Sequence, residues 1–593
     1  MGLPGSGKTS VGRALHEQLG WSWVDVDSEV ERSAGRSIAE LIRVEGEQAF
    51  RAQESEELRK ALKSGVQAVS VGGGALLRTE NQTLIAQHGY AVHLAVSVEV
   101  AAQRALSDEL GRSETSKEAA AMRPVLFPAQ AGKGGAEHPT MEDALVNMSK
   151  LAAARAAQYE SAKLSVWTDF ADPASIAKII AREVKLAGTT GAEKVSIIPD
   201  AVSNHGKLSE VVIASGAVGS FGERLAMMVH SPRKVAIVVD ENLSQYVEKL
   251  EESLVNAKFE TARIVLPSGE TSKSFTELNR ILDRLAELGL TRDDLLIGLG
   301  GGVVGDISGL AAALYMRGIQ HVQVPSTIVA QVDSALGGKN AINLERGKNL
   351  VGTFHLPRAV VSDSETLATL PEREYISGLA EVIKYGLIFS TEFFEWLEGN
   401  VEAILQRKHT VLSRIIEYSS VAKTGVVAKD IYDTLGLRAL LNFGHTVGHA
   451  VENLSGYGEF LHGEAIAIGM KKAVFVGTLL EITPPETISR VALLLRKLGL
   501  PTEMPERLLR GGEDLLRARG VADVRDIVRQ GRVTEGHLSG DAADFEKRWA
   551  GALKADKKRS NDFVNFIVLE KIGAAKVVKV ELDTLIGAVA WNR

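Results

Sequence analysis

Cysteine is absent from the chain. Disulfides, thiolate nucleophiles and cysteine-bound zinc are thereby excluded, and any metal centre must rest on His, Asp or Glu. An excess of positive charge is also absent. The net charge is -7, which gives no general attraction for nucleic acid, where a basic surface is the expected footprint. No apolar run approaches the ~20 residues a membrane helix needs, and the first residues lack a charged-then-apolar secretion pattern. No nucleic-acid or membrane partner is indicated, and a cytoplasmic enzyme acting on small molecules is the expectation. At 593 residues, about three folding units are expected, at roughly 100–250 residues each.

One further absence is local. The chain opens MGLPGSGKTS, a phosphate-binding loop without a strand in front of it. The glycines Gly5 and Gly7 let backbone N–H groups turn inward around phosphate, together with Ser6 and Ser10. Lys8 reaches the outer phosphates, and the Thr9 hydroxyl can ligate Mg²⁺. The helical run VGRALHEQL that follows aims its positive end at the phosphates. Such a loop normally leaves the end of a central parallel strand. The expectation is that the true start lies upstream, with roughly ten apolar-rich residues supplying that strand.

Strand-like runs at 21–27, 66–74, 90–97 and 164–169 alternate with helical stretches such as Ser37–Lys63, which points to a parallel sheet wrapped by helices over residues 1–185. Residues 186–194 read as a small, polar linker. A second α/β pattern covers 195–370, with strand-like runs at 234–240, 260–267, 294–302, 321–325 and 359–363. From 371 to 593 helical signals dominate. Residues 107–124, with the Gly/Ala-rich segment 129–137 after them, read as a mobile insertion, and the charged stretch 503–555 as surface helix and loop.

Within the first region, VDVDSEVE places Asp25 and Asp27 on a strand end with diverging side chains, one suited to metal and one to a hydroxyl. FRAQE puts Arg51 and Glu54 one helical turn apart, so that the carboxylate can hold the guanidinium. Gly73 and Gly74 follow an apolar strand and allow close approach of a small ligand. Arg123 and Arg155 complete the set. In this order the residues resemble shikimate kinase. The resemblance implies ATP and Mg²⁺ at Gly5 to Ser10, with Thr9 and Asp25 at the metal. It implies shikimate at Asp27, Arg51, Gly73, Gly74 and Arg155, and Arg123 as a lid arginine over the transferring phosphoryl.

In the second region, Gly300-x-Gly302-x-x-Gly305 lacks the acidic residue expected about 20 positions on, so the dinucleotide fingerprint is incomplete. Asp240, ending the strand KVAIVVD, is the better ribose partner. In the helical half, Glu381 and Lys384 lie one turn apart, His445 and His449 share a face at i, i+4, and His462 follows. A lone histidine is usually a surface or core residue, but three clustered among glycines, with a Glu at hand and no cysteine, point to a His₂-Glu metal site. The motifs GGGVVGD, PST…QVDSALGGKN, EVIK, GLRALLNFGHTVGHA and HGEA resemble 3-dehydroquinate synthase. Carried over, the metal ligands are Glu381, His445 and His462, for Zn²⁺ or Co²⁺. NAD is expected at Asp240, Glu270, Lys273, Gly301, Gly302, Asp306, Ser326 and Thr327, with Lys348 among the cofactor and substrate contacts. Substrate is expected at Asp333, Lys339, Asn349, Lys384, Lys423, Arg438, Asn442 and His449, with Arg317 and Lys557 toward its phosphate. A homodimer through this region is also expected.

The resemblances together imply a bifunctional enzyme of aromatic precursor synthesis. It would phosphorylate shikimate and would cyclise a heptulosonate phosphate to 3-dehydroquinate. The rivals are a non-catalytic nucleotide-binding module at the N-terminus and, at the C-terminus, another sugar-phosphate cyclase or a metal-dependent polyol dehydrogenase. The cluster Lys339, Lys384, Lys423 and Arg438 speaks against the last, because an uncharged polyol needs no such set.

Overall fold

A computed structural model of the chain describes residues 1–113, 140–187, 194–204, 207–229, 234–456, 458–529, 538, 540–555 and 563–591. The lid arginine Arg123, most of the insertion and Lys557 lie outside the described residues. The chain divides into two compact units, Met1–Arg233 with Lys249–Glu260 and Lys234–Glu248 with Thr261–Arg593. Among the described residues no helix is long and apolar enough to cross a membrane.

In the first unit, helix α1 (Lys8–Leu19) leaves the loop at Gly7 and stops at Gly20. Both glycines adopt left-handed backbone, φ 84° and 70°, which costs a side-chain-bearing residue more. Strands β1 (Trp23–Asp25) and β2 (Ala68–Ser70) pair in parallel. Strands β3 (Val92–Ala95) and β4 (Leu164–Trp167) form a second parallel pair. β2 and β3 face each other across a cavity of about 210 Å³ lined by Val11, Leu15, Val69, Val71, Val92 and Leu94. Among the described residues Met1 pairs there, its amino group donating to Val92 O at 2.9 Å and its carbonyl accepting from Leu94 N at 2.8 Å. Helices α2 (Glu47–Lys63) and α3 (Met141–Glu160) carry candidate site residues.

The ladder of β4 continues onto β5 (Val195–Asn204), with Leu164 opposite Val195 and Val166 opposite Ile197. β6 (Lys207–Ile213) returns antiparallel. Four buried charges hold this hairpin to its neighbours α4 (Pro173–Leu186) and α5 (Ala217–Met228). Arg182 grips Glu210 through both terminal nitrogens, at 3.0 and 2.7 Å. Arg224 grips Glu183 at 3.1 and 2.7 Å, and Arg182 Nε donates to Glu183 at 2.9 Å. The first compact unit therefore runs past the 186–194 segment and includes the hairpin.

The second unit has a sheet in the order β13 (Ala359–Ser362), β10 (Gln320–Pro325), β9 (Leu295–Gly300), β7 (Lys234–Asp240), β8 (Glu260–Leu266). β9 is buried at every position, which is why it reads as a continuous apolar run instead of an alternating one. It pairs in parallel with β10 on one side and β7 on the other. β11 (Lys339–Leu344) and β12 (Gly347–Phe354) form an antiparallel hairpin. Helix α6 (Gly302–Leu314) leaves the end of β9 and packs on a core that includes Leu278, Ile281, Leu296 and Ile307.

The helical part is built on α7 (Glu372–Phe389), α8 (His409–Lys429), α9 (His445–Ser455) and α10 (His462–Leu479). Two features differ from the sequence expectation. A further antiparallel hairpin, β14 (Phe563–Lys571) and β15 (Ala574–Glu581), stands among the helices. The stretch 503–555 is more than a surface cover. Its helix α11 (Gly540–Ala555) buries Phe545, Trp549 and Leu553 completely, and Trp549 Nε1 donates to Leu508 O. These apolar residues recur every fourth position and are masked in the sequence by the charges between them.

Candidate functional site

At the first nucleotide loop, Gly5 and Gly7 are left-handed, with φ 77° and 84°. Lys8 Nζ donates to Gly2 O at 3.0 Å and Leu3 O at 2.9 Å, so the ammonium folds over its own loop. Thr9 Oγ1 donates to Asp25 Oδ2 at 2.9 Å. The hydroxyl and carboxylate assigned to Mg²⁺ are thus adjacent. Gly72 to Gly74 form the floor of a polar bowl. A Cβ on Gly72 would lie 3.1 Å from Asp27 Oδ1, on Gly73 2.7 Å from Arg155 Nη1, and on Gly74 2.4 Å from Arg51 Nη1. Asp27, Arg51 and Arg155 therefore converge around bare backbone. Arg51 is held by Glu54 at 2.8 Å. Burial raises the Asp27 pKa, with Asp25 adding to the shift. Ser6 is buried and Ser10 is exposed on α1.

At the second loop, Gly301 caps α6 without a side-chain hydrogen bond, which leaves backbone N–H groups for a phosphate. A Cβ on Gly301 would lie 3.1 Å from Thr327 Cγ2, so the loop closes against Thr327, with Ser326 buried before it. Lys273 is buried and donates to Asp306 Oδ2 at 2.6 Å and to Asn349 Oδ1 at 2.5 Å. Burial pushes the Asp306 carboxyl up to about 6, against the pull of Lys273. Asp240 Oδ1 accepts from Asn242 N and Nδ2 at the end of β7, and Glu270 accepts from Asn343 at 2.8 Å. Lys348 is exposed on β12. Asn340 is spent on structure, donating to Gly338 O and His355 O.

The third cluster forms where α9 and α10 cross at glycine. A Cβ on Gly469 would lie 2.0 Å from Gly444 O. That close approach brings His445 and His462 to one side of Glu381 on α7, with Nε2 of each 3.4 Å from Glu381 Oε1. Glu381 is 1% exposed, its Oε2 paired with Lys384 and its Oε1 without a hydrogen-bond partner. His445 Nδ1 donates to Phe443 O at 3.1 Å, which leaves Nε2 as a lone-pair donor. Burial keeps His445 well below its ordinary pKa, in the neutral, ligating form. Burial would lower His462 as well, but the facing carboxylates Glu381 and Glu452 push it up to about 10. His449 brings a third imidazole, and one ring nitrogen from each of the three lies within 4.8 Å of the others. Two nitrogens and a buried, under-satisfied carboxylate oxygen with no sulfur fit a divalent cation such as Zn²⁺ or Co²⁺.

Around this cluster lie the expected cations. Lys384 is buried against Glu381. Lys423 Nζ donates to Asp333 Oδ1 at 2.5 Å and holds that carboxyl below the ordinary range in spite of burial. Arg438 is buried and donates to Ile431 O at 3.0 Å. Gly337, with φ 103°, makes room for it, since a Cβ there would lie 2.9 Å from Arg438 Nη2. Lys339 pairs with Asp433 at 2.8 Å. Asn442 is exposed just before Gly444 and His445. Asn349 adopts φ 57° and its N–H donates to Asn343 at 2.9 Å. Arg317 stands apart on an exposed turn with φ 63° and makes no ion pair among the described residues.

Three neighbours carry no signal in the sequence reading. Tyr385 Oη donates to Asp333 Oδ1 at 2.8 Å, Asp433 holds Lys339, and Glu452 Oε2 lies 3.4 Å from His462 Nδ1. Tyr385 follows the EVIK motif, and Glu452 sits one turn after His449. Proximity to a motif was the one available clue for both.

Residues 4–129 match the family described as shikimate kinase. Residues 263–377 match that described as 3-dehydroquinate synthase N-terminal, and 378–515 its C-terminal counterpart. The 3-dehydroquinate synthase of Geobacter metallireducens is 45% identical over 336 residues, 52% of this chain and 92% of that protein. Two solved structures share the fold. One is a 2-deoxy-scyllo-inosose synthase with carbaglucose-6-phosphate, NAD⁺ and Co²⁺, at TM-score 0.53, 23% identity, 65% of this chain and 98% of that one. The other is the 2-epi-5-epi-valiolone synthase of Streptomyces hygroscopicus with NAD⁺ and Zn²⁺, at TM-score 0.52, 24% identity, 64% of this chain and 94% of that one.

Proposed function

Because the chain belongs to the 3-dehydroquinate synthase family and carries a shikimate kinase domain ahead of it, we propose that it runs two reactions of one biosynthetic route. The first unit transfers phosphate from ATP to the 3-hydroxyl of shikimate. The second cyclises 3-deoxy-D-arabino-heptulosonate 7-phosphate to 3-dehydroquinate with release of phosphate. Lys8 and the loop N–H groups hold the phosphates, and Thr9 and Asp25 would hold Mg²⁺. Asp27 accepts the proton of the attacking hydroxyl, while Arg51 and Arg155 neutralise and orient the carboxylate. Arg123 is assigned from the sequence alone.

In the second unit, Glu381, His445 and His462 would hold the divalent ion, and the loop at Gly301, with Asp240, Lys273, Asp306 and Thr327, would hold NAD. When bound, the metal supplies a Lewis acid at the reacting hydroxyl and the cofactor a reversible hydride acceptor. The chain's own residues bind and orient. Lys339, Lys384, Lys423, Arg438 and Asn442 surround an anionic substrate, Asp333 orients a hydroxyl, and His449 moves a proton beside the metal ligands. The observation that carries this reading is the buried Glu381 oxygen facing two imidazole nitrogens and flanked by Lys384. That combination suits a metal beside an anionic substrate and not a metal beside an uncharged polyol.

The test is an assay of the purified chain with each substrate alone. Phosphate should be released from the heptulosonate phosphate without accumulation of NADH, and ADP should form only when shikimate is present. Accumulating NADH would favour the dehydrogenase reading. A second reading of the first unit, a nucleotide-binding module without kinase activity, is favoured by the cavity between β2 and β3. ATP binding with no ADP formed in the presence or absence of shikimate would support it.

A further inference from the structure

Helix α9 presents His445, His449 and Glu452 at i, i+4 and i+7, one face of the helix. That face meets the first residue of α10, His462. The two ring nitrogens of His462 point at different carboxylates. Nε2 lies 3.4 Å from Glu381 Oε1 and Nδ1 3.4 Å from Glu452 Oε2. Glu452 is largely buried, its side chain 12% exposed. His445 is oriented differently, its Nδ1 donating to the carbonyl of Phe443. One imidazole is thus backed by a neutral dipole and the other by a full negative charge. A carboxylate behind an imidazole fixes the ring and its tautomer and raises the basicity of the nitrogen on the far side.

We infer that Glu452 is a positioning residue that sets the metal affinity of this centre through His462. Glu452 accepts the Nδ1 proton, so that the lone pair of Nε2 is directed to the point shared with His445 Nε2 and Glu381 Oε1. It contributes no ligand atom itself. With Glu381 it would place two negative charges around a dication whose other ligands are neutral. The inference rests on the metal-site reading above.

The test uses the full chain stripped of metal and titrated with Zn²⁺ against a chromogenic chelator. The wild type is compared with Glu452→Gln, Glu452→Ala and His445→Ala. Zn²⁺ affinity is expected to fall about 10-fold in Glu452→Gln and up to ~100-fold in Glu452→Ala. NAD binding and the unfolding temperature of the metal-free protein should stay unchanged. In Co²⁺-loaded Glu452→Gln the visible absorption should shift, a signature that a merely structural acid would not move. Affinities of both Glu452 variants within threefold of wild type, with an unmoved cobalt spectrum and binding lost in His445→Ala, would overturn the inference while leaving the metal site standing. Zn²⁺ binding that survives intact in His445→Ala would overturn the metal-site reading itself, and the inference with it.

Discussion

Both units place a glycine loop at the start of a helix, yet they support it differently. In the second unit the loop at Gly301 leaves β9, which is laddered to β10 and β7 along its length and buried at every residue. In the first unit, β2 and β3 stand on either side of a 210 Å³ cavity, and among the described residues Met1 pairs with β3 there. The same local chemistry therefore rests on a continuous sheet in one case and on a divided one in the other. A loop motif reports what a site can bind. How firmly the loop is held is decided by strands that the motif does not include.

The sharpest way to separate the two sites is to remove one residue from each. His445→Ala is expected to lower the synthase rate by roughly a thousandfold, the scale of losing a metal's charge stabilisation, and to leave shikimate-dependent ADP formation unchanged. Lys8→Ala is expected to lower the kinase rate by roughly a hundredfold or more and to spare the synthase. Loss of both activities in either variant would break the comparison.

Stability should show the next largest contrast. A cavity of about 210 Å³ between β2 and β3 forfeits packing contacts that the continuous sheet of the second unit keeps. The first unit should therefore unfold before the second, by roughly 10 °C, as two transitions in calorimetry with ATP-site probes lost in the earlier one. Arg224→Ala sharpens this. It leaves the buried Glu183 with half its partners, at a cost of about 3–5 kcal/mol, and should lower only the earlier transition. Glu183 adds a pH dependence. Burial would raise its pKa, but Arg224 and Arg182 hold it below the ordinary value. The stability it contributes is thus present above about pH 4.5 and is lost as pH falls through the depressed folded value. A single transition, or a second unit that melts first, would contradict the contrast.

The smallest effect belongs to the second loop. Asp306 has a folded pKa of about 6, above that of the free side chain. Its contribution to stability is therefore present below about pH 4 and lost as pH rises through 6. Ligand binding should run the other way. If the ionised Asp306–Lys273 pair is what NAD requires, affinity should weaken by up to tenfold per pH unit below 6, and this slope should vanish in Asp306→Asn. A flat NAD profile in the wild type would remove Asp306 from the cofactor site.

Much of this was legible in the sequence because the signals were local. The loop around Lys8, the strand end at Asp25 and the His445–His449 spacing each lie within one turn or one strand. So did the α/β character of both regions, since β-branched runs alternate with helical periods. What the sequence hid was tertiary. The hairpin β5–β6 belongs to the sheet of the first unit because of pairing with β4 and the Arg182–Glu210 and Arg224–Glu183 contacts, none of which a local pattern encodes. The charges of 540–555 concealed the buried face of Phe545 and Trp549. Tyr385 and Glu452 read as an ordinary helix tyrosine and an ordinary helix acid until folding set them behind Asp333 and His462.

The most direct measurement of two separate sites with two different metal requirements is a differential metal-depletion assay on the full chain. The protein is stripped with a strong chelator, Mg²⁺ alone is returned, and both rates are measured before and after addition of Zn²⁺. Shikimate-dependent ADP formation should return with Mg²⁺, while 3-dehydroquinate formation should stay near zero until Zn²⁺ is added. Full synthase activity in the stripped, Mg²⁺-only protein would contradict a metal centre at Glu381, His445 and His462.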